Sequence, residues 1–272
     1  MIQYSTELLA ELDFYTEGPA VDPSGNLYYT TLTGGEIQMI TPSGEKRSWA
    51  HGDCPNGQAI DPDGYHWVCE SRLARITKYT PNGELADVIL DGQCAGEPFS
   101  TPNDLIFDKK GNLYFTESIR HHGKVFFRST DGFEKVLASG VDYANGLALN
   151  PAGDQLYVAE SYQNRILVID LQTSDVTIFA HLPENPSGEP IENLPDGLAV
   201  DQEGRVWVAH YGMGAVQILS PEGGFIQSIN TGLPLTSNLT LLSELPDRKE
   251  ILITGGFLEP GPGGVVKACL KF

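Results

Sequence analysis

The stretch Thr101-Pro-Asn-Asp-Leu-Ile-Phe-Asp-Lys-Lys-Gly-Asn-Leu-Tyr-Phe-Thr-Glu-Ser118 joins a polar residue at Asn103, an apolar run at Leu105-Ile106-Phe107, a turn at Asp108-Lys-Lys-Gly111 and a second apolar run at Leu113-Tyr114-Phe115. Versions of the same unit begin at Glu17, Asn56, Asn145, Asp196 and Asn238, so the chain is a repeat protein. The spacing, about 40 to 50 residues, is too long for a leucine-rich repeat and suits one four-stranded propeller blade. Turns with Asp or Asn first and Gly fourth recur at Asp22, Asp61, Asn150 and Asp201, each between two short apolar runs. No window holds a sustained helical period. The expected fold is all-β: a single six-bladed propeller over residues 1–272, with four strands to a blade.

The chain ends account for ring closure. Glu7 to Glu17 aligns without a gap on Lys135 to Asn145, so the amino terminus reads as a fourth strand, while the last repeat stops after its third, Gly263 to Leu270. The first strand is therefore expected to complete the last blade and remove two sheet edges. Two long connections, Asp91 to Pro102 and Ala180 to Pro195, lead into Asn103 and Asp196 and would rim the channel mouth as lids or as variable surface.

Composition narrows the partners. With 17 Lys and Arg against 36 Asp and Glu, the formal charge of -19 repels nucleic acid and acidic lipid and favours cations. Hydrophobic residues at 40% suit a chain with a substantial buried core. The amino terminus lacks a basic segment followed by an apolar one, from which we expect a cytoplasmic protein. Cys54, Cys69, Cys94 and Cys269 form no Cys-x-x-Cys pair and are expected to be reduced. A closed propeller needs no partner to cover its edges, so a monomer acting on a small molecule is expected.

Equivalent positions in six blades lie at one depth round the channel, and here they read Glu17, Asn56, Asn103, Asn145, Asp196 and Asn238. All are oxygen donors. Two carboxylates and several amide oxygens suit a hard or borderline divalent cation: calcium, magnesium, manganese or zinc. Asn-Gly and Asp-Gly are also turn dipeptides, and for one copy that would suffice; six registered copies, with the longer Glu17, favour a site. The Asp-x-x-Gly carboxylates are accounted for by turn geometry. Thr31, Glu70, Glu117, Glu160 and His210, which end the second strands, read as solvated strand ends rather than support for the site. His51, His66 and His181 read as surface or turn residues, whereas His121, His122 and His210 could approach the channel. No Gly-x-Ser-x-Gly, His-Glu-x-x-His, Walker or dinucleotide motif is present.

Through Glu17-Gly-Pro, Pro102-Asn-Asp104, Asn145-Gly-Leu and Pro195-Asp-Gly197, the chain resembles the gluconolactonase, regucalcin and luciferin-regenerating-enzyme family. The resemblance implies one divalent metal, calcium first, held by Glu17, Asn145, Asp196 and Asn103. It further implies Asp196 as the acid/base of lactone hydrolysis. Substrate would meet Asn103, Thr101, His121 and His210. Thr101 stands where several members carry an Arg, and His121 near where some carry an acidic sugar-binding residue, so a sugar lactone is not implied. Alternatives are organophosphate hydrolysis at the same site, a metal-free propeller resembling strictosidine synthase, and a non-catalytic binding propeller.

Overall fold

The computed structural model describes residues 2–272, and they are all-β apart from two single-turn 3-10 segments. Backbone contacts divide them into two compact units: Glu17–Ala144, and residues up to Thr16 together with Asn145–Phe272. In both, the repeat read from the sequence becomes an antiparallel four-stranded sheet whose strands pair in chain order.

Glu17–Ala144 contains three such sheets. Their first strands are Thr16–Val21, Pro55–Ile60 and Pro102–Phe107. The second strands are buried along their length, as in Leu113–Glu117, while fourth strands such as Leu85–Asp91 are largely exposed. The core lies between successive sheets. Cys69, Ile76 and Leu90 from one sheet meet Leu105, Phe115 and Phe126 from the next, with the rings of Phe115 and Phe126 stacked at 4.7 Å. Burying each such side chain contributes roughly 1.5–3 kcal/mol.

The other unit holds one four-stranded sheet, beginning at Ala144–Leu149, and one of eight strands. The larger is two runs of four. One begins at Leu194–Val200 and the other at Leu235–Leu245, and they are joined where Tyr211 pairs with Leu235. Gln3–Leu12 pairs antiparallel with Gly263–Lys271, as expected, and so completes the last run. The gapless match of Glu7–Glu17 to Lys135–Asn145 thus has its structural counterpart, since Glu134–Val141 is also a fourth strand.

The Asp-x-x-Gly turns behave as read. Asp61 Oδ1 accepts from the backbone N–H of Asp63 at 3.0 Å and of Tyr65 at 2.9 Å, and Asp108 Oδ1 from those of Lys110 at 2.8 Å and Asn112 at 2.9 Å. The long connections are fastened. Residues 91–102 carry a small hairpin, Gln93–Cys94 with Glu97–Pro98, and bury Cys94 and Phe99. Among the described residues the four cysteines are free, and no helix is long and apolar enough to cross a membrane.

Candidate functional site

The anchors stand inside the first strands rather than ahead of them, which corrects the sequence reading. Pro55 pairs with Glu70 and Gln58 with Val68, so Asn56 and Gly57 together oppose one residue. Asn103 and Asp104 do the same between Pro102 and Leu105, and Asp196 and Gly197 between Pro195 and Leu198. Each is a β-bulge. A bulge bends the strand and re-aims its side chains, a usual device beside functional sites.

The glycines after the anchors serve close approach, not hairpin turns. Gly57, Gly146 and Gly197 have no left-handed φ. A Cβ on Gly146 would lie 2.4 Å from the Asp196 carbonyl oxygen, and one on Gly57 2.7 Å from that of Asn103. Each Asn-Gly or Asp-Gly step therefore makes room for the next anchor.

Serines aim the anchor amides. In the unit containing Asn145, Ser161 Oγ donates to the Pro195 carbonyl at 2.7 Å and accepts from Asn145 Nδ2 at 3.2 Å. With its amino group so held, Asn145 is buried and its Oδ1 has no hydrogen-bond partner among the described residues. The pattern recurs in the other unit. Ser71 Oγ donates to the Pro102 carbonyl at 2.7 Å and accepts from Asn56 Nδ2 at 3.3 Å, and Asn56 Oδ1 is likewise unpartnered. Leaving a buried acceptor unsatisfied costs about 1–3 kcal/mol, so these two matching oxygens are acceptors open to a water or a cation.

The carboxylates are also enclosed. Glu17 and Asp196 are buried, and Glu17 Oε2 accepts from the Gly18 N–H at 3.0 Å. Asn103 is buried as well, whereas Asn238 turns its Oδ1 onto the Leu239 N–H at 2.8 Å. Among the described residues no group of three or more His, Cys, Asp or Glu is arranged to hold a metal, so a cation here would depend on amide oxygens. That is the donor set of a hard cation.

The second-strand ends are not solvated strand ends. Thr31, Glu70, Glu117, Glu160 and His210 are all buried. Glu117 Oε1 accepts from the Ser100 N–H at 2.8 Å, and Glu70 Oε1 from the Asp53 N–H at 3.3 Å and the Tyr79 hydroxyl at 2.9 Å. These carboxylates hold the segments that lead into Asn103 and Asn56. The sequence signal was the thrice-repeated Glu-Ser step at 70–71, 117–118 and 160–161, which the sequence reading passed over.

The histidines divide differently from expectation. His66 is buried against Tyr28 and Trp49, with ring centroids 4.4 and 4.2 Å away, and burial pushes it down to about 4. His210 is fully buried and pushed down to about 3 by burial, so its ring shows no surface to a substrate. His121 stays exposed, in a left-handed conformation with φ 61°, and its Nδ1 lies 3.3 Å from the buried Asp142 carboxylate. Thr101 is half-buried, its carbonyl accepting from the Ser118 N–H at 3.0 Å.

Residues 88–256 match the model of the SMP-30/Gluconolactonase/LRE-like region. The chain belongs to this family. Similar proteins include a gluconolactonase of Zymomonas mobilis, 29% identical over 79% of this chain and 67% of its own length. Lactonase drp35 of Staphylococcus aureus is 29% identical over 92% of this chain and 81% of its own. Among solved structures, a gluconolactonase from Xanthomonas campestris superposes with a TM-score of 0.82 at 25% identity, covering 98% of this chain and 90% of that one. Membership of the SMP-30/gluconolactonase family agrees with the propeller-type sheets described above.

Proposed function

We propose that this protein opens a lactone, or a similar small ester, by hydrolysis, with one divalent cation and Asp196 as its working groups. The observation that carries the reading is the buried, unpartnered Oδ1 of Asn145, held in place through its own amino group by Ser161. The relatives named gluconolactonase and lactonase support the reaction class. The proposal includes a closed six-bladed propeller as the frame, with Glu17, Asn103, Asn145 and Asp196 as the cation's oxygen ligands. Calcium is the first choice, because amide and carboxylate oxygens with no nitrogen or sulfur are its preferred donors.

A cation so bound supplies Lewis acidity that polarises the ester carbonyl. The remaining work falls to the chain. Asp196, as a carboxylate, takes the proton of the water that adds to the carbonyl carbon, and it returns that proton to the ring oxygen as the C–O bond breaks. The products are one carboxylic acid and one hydroxyl on a single opened molecule, and Asp196 is restored. Asn103 offers an amide for orienting the ester. Thr101 and His121 are the positions proposed to meet substituents of the ring.

The test is Asp196→Asn. We expect a folded protein whose kcat/KM on lactones falls by about 10²–10⁴, the usual contribution of a positioned acid/base. A variant as active as the parent would remove Asp196 from the mechanism.

A further inference from the structure

The fourth strands Lys46–His51, Leu85–Asp91 and Val176–His181 each carry one bulged residue at the same register step. In the first, Gln38 pairs with Ser48 and Ile37 with Ala50, which sets out Trp49. The same step sets out Ile89 in the second and Phe179 in the third.

The two aromatic residues fill the space between their own sheet and the next. Trp49 packs with Tyr28 and Ile60, its ring centroid 5.2 Å from that of Tyr28 and 4.2 Å from that of His66. In the other unit, Phe179 packs in a cluster with Val200 and Val206, its ring centroid 4.6 Å from that of Tyr157. By strand register, the residues that match these neighbours around Ile89 are Trp67, Phe107 and Leu113.

At Ile89 the space is open. Ile89, Trp67, Phe107 and Leu113 wall a cavity of about 330 Å³, with Ser129 and Thr130 at its side. All of these residues belong to Glu17–Ala144. The volume falls at the lower end of the roughly 300–1,000 Å³ of small-molecule sites, and apolar walls are usual there. Trp67 and Phe107 already meet edge to face, with centroids 5.1 Å apart and planes at 81°. A third ring would extend that cluster favourably.

The two half-buried charged groups in the wall are engaged. Arg128 pairs with Glu134, and Asp61 pairs with Lys78 at 3.1 Å while accepting from Trp67 Nε1 at 2.9 Å. Recognition therefore falls to the apolar walls. Phe107 closes the strand Pro102–Phe107, near whose start Asn103 stands, so the cavity lies at the opposite end of that strand from the candidate site.

We propose that this cavity is a second binding site, which takes one small planar aromatic molecule with its ring where Trp49 places an indole and Phe179 a phenyl group. The occupant is set by the chain's own repeats. Where the bulged residue is aromatic the chain supplies the ring itself, and where it is Ile89 a ligand supplies it.

The test is a titration of the full chain with indole, followed by calorimetry and by the methyl NMR signals of Ile89 and Leu113. We expect saturable binding of one indole with a Kd of about 1 mM or tighter, and shifts of both methyl signals. Ile89→Trp, its fold verified by a melt, should weaken binding by at least about tenfold, because its own ring takes the space. Ile89→Phe serves the same end should the larger ring prevent folding. No saturation up to about 10 mM indole, methyl signals that stay still, or binding indifferent to a ring at position 89 would overturn the proposal. The methyl shifts are read on the parent chain, so the proposal can fail without any variant.

Discussion

At the scale of single residues, Ser161 does the work of two. Its hydroxyl holds the Pro195 carbonyl, one residue before Asp196, and takes the Asn145 amino group, leaving Asn145 Oδ1 free for a cation. Ser161→Ala should cost about 1–2 kcal/mol of stability. It should also weaken calcium binding measured by calorimetry, because the amide loses its reason to point one way. His66 predicts a pH effect. Burial lowers its folded-state value from 6.5 to about 4, so the unfolded chain binds the proton first. Stability from this group is fully present above pH 6.5 and is lost as the pH falls from there toward 4. The melting temperature should decline across that window, and His66→Asn should flatten the decline. The sequence shows neither role: Ser161 stands in the repeated Glu-Ser step, which marks a position but not the contacts its hydroxyl makes, and His66 follows a Gly-Tyr turn that suggests exposure.

At the scale of elements, the decisive feature is the bulged first strand with a glycine behind the anchor. The sequence shows the Asn-Gly and Asp-Gly steps but not their purpose, since a hairpin turn and a close backbone approach both ask for glycine. Gly146→Ala separates them. The added Cβ would meet the Asp196 carbonyl at 2.4 Å and Gly197 Cα at 2.5 Å, so Asp196 must move. We expect about 1–3 kcal/mol of destabilisation and a disproportionate loss of lactonase activity. Gly153→Ala is the contrast. There φ is +75° with nothing within 4 Å, so about 1 kcal/mol of strain and normal activity are expected from a melt and an assay.

At the scale of the whole molecule, the net charge of -19 and the unpartnered amide oxygens both favour a bound cation. A ligand at a hundred times its Kd stabilises the fold by about 2.7 kcal/mol. Chelation should therefore lower the melting temperature by about 5–10 °C, and restored calcium should recover it. A melt indifferent to both treatments would remove the metal from the proposal.

The sequence by itself determined the all-β repeat, the Asp-x-x-Gly turns, the anchor positions and the return of the first strand to the last sheet. Those features rest on rules written within a few residues, namely apolar alternation, turn chemistry and a common period. Only the tertiary structure decided that the anchors sit in bulges, that Glu70 and Glu117 are buried braces, that Glu160 is buried and paired with Arg165, that His210 is enclosed, and that the last two runs of strands share one sheet through Tyr211 and Leu235. The physical reason is distance along the chain. The serine hydroxyls reach carbonyls 31 and 34 residues away, and no local pattern encodes a contact whose partner lies in the next repeat.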